Sequence, residues 1–103
     1  METQDKTRRE SHRTGRVVFV SRARRFSTLA GDWRVWRSLC GRYRVAYCKS
    51  HYGDLPEVFY AERVEPRPDD PARLIFSVLS KHRKRWTAEA ACRADARKRS
   101  PNG

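Results

Sequence analysis

Hydrophobic and polar residues alternate with a period of two in three segments of the second half of the chain. The segments are residues 43–47, 58–64 and 74–79. Such alternation predicts β-strands that bury one face. The connections between the segments are short and carry no helical pattern, so the three strands are predicted to pair as an antiparallel meander.

The segment that follows has the spacing of a helix. Thr87 is a good N-cap, and Ala88, Ala91 and Cys92 recur at helical intervals on one apolar face. Trp86 is placed to contact Ala91 as a hydrophobic staple. These patterns predict an α+β fold with the order β-β-β-α in this half, in which a C-terminal helix packs on a small antiparallel sheet of three or four strands.

The first half of the chain is less regular. Residues 17–20 form a β-branched and aromatic run, which predicts a strand. Residues 22–25 are mostly arginine and are predicted to form a basic connection. The glycine and aspartate at residues 31–32 predict a turn. Residues 33–39 fit either a short helix or an alternating strand, because seven residues do not separate the two periods.

Length and composition set the expected domain limits. A chain of 103 residues is long enough for one domain, predicted over residues 16–99. Residues 1–15 and 100–103 are polar and predict a disordered arm and tail. No stretch approaches the roughly 20 apolar residues of a membrane span. Three cysteines do not make a disulfide framework, so we expect a cytoplasmic protein, associated with the nucleoid if the source is bacterial.

The charge is large and unevenly distributed. The formal net charge is +12, of which residues 17–49 carry +7 and residues 80–103 carry +6, whereas residues 50–79 carry −3. A field of this sign attracts polyanions, and its unevenness predicts one basic face beside an acidic edge. The pattern favours a nucleic-acid-binding protein.

Two groups of cations are the candidate nucleic-acid-binding residues. The run from residue 81 to residue 85 lies just before the predicted helix, where free backbone N–H groups and cations together suit phosphate. A solvated turn is the alternative, but cations oppose the dipole at this end of a helix. The second group lies on the predicted strands. The full set is Arg42, Arg44, Arg63, Lys81, Arg83, Lys84 and Arg85.

Aromatic residues are interleaved with the strand arginines. We assign Tyr43 and Tyr47 to the core because they alternate with Arg42 and Arg44 on the predicted strand. The pattern leaves open whether Trp33 and Trp36 belong to the core or stack on bases or sugars.

The second half resembles two known nucleic-acid-binding domains over roughly residues 41–99. Residues 87–94 read TAEAACRA, which is similar to the T-x-E-A-A-x-A helix of the three-strand-plus-helix DNA-binding domain of ethylene-response factors and tyrosine-integrase arm-binding domains. That resemblance implies that Arg42, Arg44 and Arg63 enter the DNA major groove from the sheet. Residues 80–85 resemble the basic motif that grips phosphates in the double-stranded RNA-binding domain.

Other functional classes have weaker support. The acidic residues have no histidine at motif spacing and no phosphate-binding glycine loop, so we expect neither an enzyme nor catalytic residues. Cys48 and His51 give the only tight metal-ligand spacing, so we expect no metal and no cofactor. The alternative function is a small protein-interaction module or mobile-element inhibitor that docks on an acidic partner surface. The oligomeric state stays open.

Overall fold

The computed structural model describes residues 17–54 and 56–99. The fold is α+β, as the sequence predicts, but its sheet has five strands rather than three or four. The predicted arm and tail, residues 1–15 and 100–103, lie outside the described residues. The elements in chain order are β1 (Arg24–Ser27), β2 (Gly31–Arg37), β3 (Tyr43–Ser50), β4 (Phe59–Pro66), β5 (Leu74–His82) and α1 (Arg85–Arg99).

The sheet is an antiparallel meander in which each strand pairs with the next one along the chain. This confirms the predicted pairing of the last three strands. A bulge lies between β4 and β5, where Ala61 pairs with Ser80 and Glu62 with Val78, so Leu79 is an extra residue in β5. In the part of the chain that is described, no helix has the length and apolar character needed to cross a membrane.

Side chains of the sheet alternate between two faces, which we call the helix face and the open face. The helix face carries the buried Trp36, Tyr43 and Val45, which form the core with Ala88 and Cys92 of α1. Trp36 is therefore a core residue. The larger and charged strand residues of the open face are Arg24, Phe26, Trp33, Arg37, Arg44, Tyr60, Glu62, Leu74, Phe76, Val78 and Lys81.

The first half of the chain differs from three of the sequence predictions. The turn predicted at residues 31–32 is instead the start of β2. Residues 17–20 are not a strand, since only Phe19 forms a bridge, with Ser38, while Val17 packs into the core. The predicted basic connection, residues 22–25, instead overlaps the first two residues of β1, and all four residues of that strand are exposed. An exposed strand has no hydrophobic alternation, because its position is set by backbone pairing with β2. Residues 33–39 belong mostly to β2, which decides between the two alternatives in favour of a strand.

The helix begins earlier than predicted. β5 continues to His82, and α1 starts at Arg85, so Thr87 lies inside the first turn rather than at the N-cap. Its hydroxyl donates a hydrogen bond to the carbonyl oxygen of Lys84 at 2.8 Å. Because Trp86 is then helical and 62% exposed, it does not form the predicted staple.

Candidate nucleic-acid interface

The predicted basic turn is divided among three elements. Lys81 lies on the open face of β5, with its ammonium 5.8 Å from the centre of the Tyr60 ring. Arg83 and Lys84 form the exposed connection to α1, and Arg85 is the first residue of the helix. The five-residue run therefore does not act as one patch, because its ends lie on opposite faces of the sheet.

Arg85 is exposed but is held against the fold by two contacts. Its Nε lies 3.2 Å from Oε2 of Glu89, and its guanidinium carbon lies 5.0 Å from the centre of the Trp36 ring. Arg85 thus covers a core tryptophan with its cationic group. Lys84 is freer, with its ammonium 5.9 Å from the exposed ring of Trp86.

The N-terminus of α1 is an electropositive site. Its first turn contains no acidic residue, and the first backbone N–H groups of a helix have no partner within the helix. Within residues 17–54 and 56–99, neither Arg83 nor Lys84 takes part in an ion pair. Uncompensated cations at this end of a helix destabilise the isolated protein, and a bound anion would reverse the sign of that interaction.

The strand register places two further cations on the same face of the sheet as α1. A row of residues on the helix face crosses the whole sheet, formed by Arg25, Arg34, Tyr47, Phe59 and His82. The rings of Tyr47 and Phe59 lie 4.9 Å apart and are half-buried, while both arginines are exposed.

This row joins the start of the helix through Trp36. The Trp36 ring lies 5.9 Å from Phe59 and also contacts Arg85. We call Arg25, Arg34, Arg83, Lys84 and Arg85 the helix-mouth cluster. Sequence reasoning missed its two strand members because Arg25 lies in the unpredicted strand β1. For Arg34, the alternation of residues 33–37 was the one sequence pattern that indicated a place on a strand.

The pairing of Arg25 with Arg34 is unfavourable for the isolated protein. The two residues are direct partners on neighbouring strands, and like charges in that position repel each other. We expect Arg34→Thr to raise the free energy of unfolding by about 0.5 kcal/mol and at the same time to weaken nucleic-acid binding. Denaturant unfolding measures the first effect and fluorescence anisotropy the second.

The matched control for stability is Arg24→Thr. Arg24 lies on the same strand as Arg25 but faces Val35, so its replacement relieves no repulsion and should leave stability nearly unchanged. A loss of stability in the Arg34 variant would contradict the assignment of that residue to binding rather than folding.

The three strand arginines predicted from the sequence have different surroundings. Arg42 is exposed in the connection between β2 and β3. Arg44 lies on the open face, where it is paired with the buried Glu62 and its guanidinium carbon lies 3.6 Å from the centre of the Phe76 ring. Arg44 thus lies on the open face of its strand, but a carboxylate already engages its Nε–H and a ring covers the face of its guanidinium.

Arg63 lies on the other face from Arg44 and fastens α1 to the sheet. Its guanidinium donates to both carboxylate oxygens of Asp95, at 2.7 and 3.1 Å, and the hydroxyl of Tyr43 donates to the same carboxylate at 2.7 Å. The Arg63 guanidinium lowers the pKa of Asp95, whereas burial and the Asp95 contact raise the pKa of Tyr43. Arg42, Arg44 and Arg63 thus do not share one surface, contrary to the arrangement that the resemblance implies.

In the described residues, no group of three or more histidine, cysteine, aspartate or glutamate side chains lies together to hold a metal. Cys40 is exposed, whereas Cys48 and Cys92 are buried. Burial raises the pKa of Cys48 and raises that of Cys92 to about 12, which keeps both thiols protonated at neutral pH.

Comparison of this chain with family models, with curated proteins and with solved structures found no match.

Proposed function

We propose that this protein binds nucleic acid, either duplex DNA or structured RNA, by contacts between the helix-mouth cluster and backbone phosphates, with little sequence specificity. The observation that carries the proposal is the gathering of cations at the start of α1 without acidic residues in its first turn. Arg25 and Arg34 extend this surface along the sheet. A run of phosphates would satisfy side-chain cations and free helix N–H groups at once.

The chemistry of the cluster suits phosphate. Four of its five members are arginines, whose planar groups donate two parallel hydrogen bonds to phosphate oxygens. Arg83 and Lys84 are exposed and adjoin the helix start, so we assign them the strongest contacts. We assign Arg42 a peripheral contact and assign Lys81 none at this site, because Lys81 lies on the open face of the sheet. We give Arg44 and Arg63 structural roles because both are already paired with carboxylates.

The position of the acidic residues favours one orientation of the protein on a nucleic acid. Arg67 pairs with Asp69 and Arg73 with Asp70 in the connection between β4 and β5. That connection lies at the far end of β5 from the helix mouth, about 26 Å away at roughly 3.3 Å per strand residue. A polyanion is therefore attracted to one end of the hairpin and gains little at the other.

Two double variants with the same change in net charge test the proposal. We expect Arg83→Ala with Lys84→Ala to weaken binding of a short labelled duplex roughly tenfold, because two phosphate contacts are lost. We expect Arg67→Ala with Arg73→Ala, which removes two cations already paired with aspartates, to change binding much less. Fluorescence anisotropy at one fixed salt concentration measures both.

Equal losses in the two variants would mean that only net charge matters and would contradict the site. No loss in either variant would contradict nucleic-acid binding through the helix mouth.

A further inference from the structure

The open face of the sheet carries aromatic side chains on four of its five strands. They are Phe26 on β1, Trp33 on β2, Tyr60 on β4 and Phe76 on β5. The rings of Phe26 and Trp33 are stacked, with centres 6.2 Å apart and planes 8° from parallel. Phe26 is 40% exposed. Aromatic rings that solvent reaches on a sheet surface are suited to stacking on nucleobases.

The exposed charged groups of the strands on this face have one sign. The exposed charged strand residues are Arg24, Arg37 and Lys81, all of them cationic. Glu62, the acidic strand residue on the face, is buried and held by Arg44. At the border of the face, Asp54 accepts a hydrogen bond from Ser50. The exposed strand charges that an anionic ligand meets on this face are therefore all cationic.

One row across the open face combines these features. It runs through Arg24, Val35, Ala46, Tyr60 and Lys81, one residue from each strand. Val35 and Ala46 are buried at its centre, and a cation stands at each end. Five strands spaced about 4.8 Å apart span about 19 Å, which is long enough for several nucleotides.

We propose that the open face binds unpaired nucleotides of single-stranded nucleic acid. Bases stack on Phe26, Trp33 and Tyr60, while Arg24 and Lys81 contact phosphates. The inference rests on the proposed function for its class of ligand but uses a surface on the other side of the sheet from the helix-mouth cluster. Single strands fit this face better than a duplex, because only unpaired bases expose their flat surfaces to protein rings.

The test replaces rings while keeping their apolar bulk. A variant with Phe26→Leu and Tyr60→Leu should bind short labelled oligothymidylate and oligouridylate at least tenfold more weakly than the parent protein. The same variant should bind a duplex with less than a twofold change. An unchanged affinity for both single strands, or an equal loss for single strands and duplex, would overturn the inference.

The Arg83→Ala and Lys84→Ala variant separates this inference from the proposed function. It should bind duplex roughly tenfold more weakly and keep most of its single-strand binding. If this variant binds duplex normally while the leucine variant loses single-strand binding, the helix-mouth proposal fails and the open-face inference stands. If instead the Arg83→Ala and Lys84→Ala variant loses duplex affinity while the leucine variant binds single strands normally, the helix mouth is the binding site and the open-face inference fails.

A second measurement uses the unmodified protein and does not depend on the variants folding. An oligouridylate that carries 5-iodouracil is irradiated with the full chain, and the crosslinked residues are identified by peptide mass spectrometry. We expect crosslinks at Phe26, Trp33 or Tyr60. Crosslinks confined to Trp86, Tyr47 or other residues of the helix face would overturn the inference.

Discussion

Replacing Asp95 with asparagine should lower the free energy of unfolding by about 2 kcal/mol at neutral pH. Asp95 joins α1 to two strands, since it accepts hydrogen bonds from Arg63 on β4 and from Tyr43 on β3. Asparagine leaves the half-buried guanidinium only its longer ion pair with Glu65, at 3.5 Å, and hydrogen bonds to charged groups contribute about 1.5–3 kcal/mol. Urea unfolding followed by far-ultraviolet circular dichroism measures the difference.

The effect of Asp95→Asn should depend on pH in a defined direction. The Arg63 guanidinium holds the pKa of Asp95 below its ordinary value in the folded protein. The stability that this carboxylate contributes is therefore fully present above the pKa of the unfolded chain, about 3.9. It is lost as the pH falls through the lower, folded value. The difference between variant and parent should accordingly shrink below about pH 4.

The same substitution in the acidic connection is the control. Asp69 pairs with Arg67, but both side chains are well exposed, so Asp69→Asn should change stability by no more than about 0.5 kcal/mol. Asp95→Asn could instead have an equally small effect on stability, or an effect that does not change between pH 7 and acid. Either result would contradict the anchoring of α1 by the contacts of Asp95 with Arg63 and Tyr43.

Gly31→Ala should have the second large effect, a loss of about 2–3 kcal/mol. A Cβ atom at this position would lie 2.9 Å from Sγ of Cys48 and would overlap the backbone carbonyl oxygen of Lys49. Backbone cannot rotate away as a flexible side chain can, so the start of β2 would have to separate from β3. Thermal and denaturant unfolding measure the loss.

Gly41→Ala provides the comparison. Gly41 has a φ of 76°, which disfavours alanine by about 1–2 kcal/mol, but nothing lies within 4 Å of the added Cβ. Its cost is therefore limited to backbone strain, and we expect it to be smaller than that of Gly31→Ala. A Gly31→Ala variant as stable as the parent would show that β2 and β3 do not approach each other as closely as the structure indicates.

The later strands could be predicted because they bury one face. The alternation of residues 43–47, 58–64 and 74–79 follows directly from a sheet that packs on a helix, and the fold class was confirmed for that reason. β1 could not be found in this way. All of its residues are exposed, so the strand shows no alternation of hydrophobic and polar residues. Its pairing with β2 makes it a strand, and a local sequence pattern does not report that pairing.

The candidate site likewise has features that the sequence predicts and features that only the fold reveals. A basic run before the helix was visible in the sequence, because residues 81–85 adjoin in the chain. Which cations are already neutralised was not visible. Arg63 and Asp95 are separated by 32 positions, and Arg44 and Glu62 by 18, so neither ion pair leaves a local signal. The register that places Arg25 beside Arg34 is equally a property of the folded sheet.

The salt dependence of duplex binding tests the central claim most directly. Each phosphate contact releases counterions, so the logarithm of the association constant should fall linearly with the logarithm of the salt concentration, by about 0.9 per contact. With about four contacts from the helix-mouth cluster, we predict a slope of roughly −3 to −4 for the parent protein. The Arg83→Ala and Lys84→Ala variant should lower its magnitude by about 2, and the Arg67→Ala and Arg73→Ala variant should leave it unchanged. A slope near zero, or the same slope in all three proteins, would contradict binding of phosphates at the mouth of the helix.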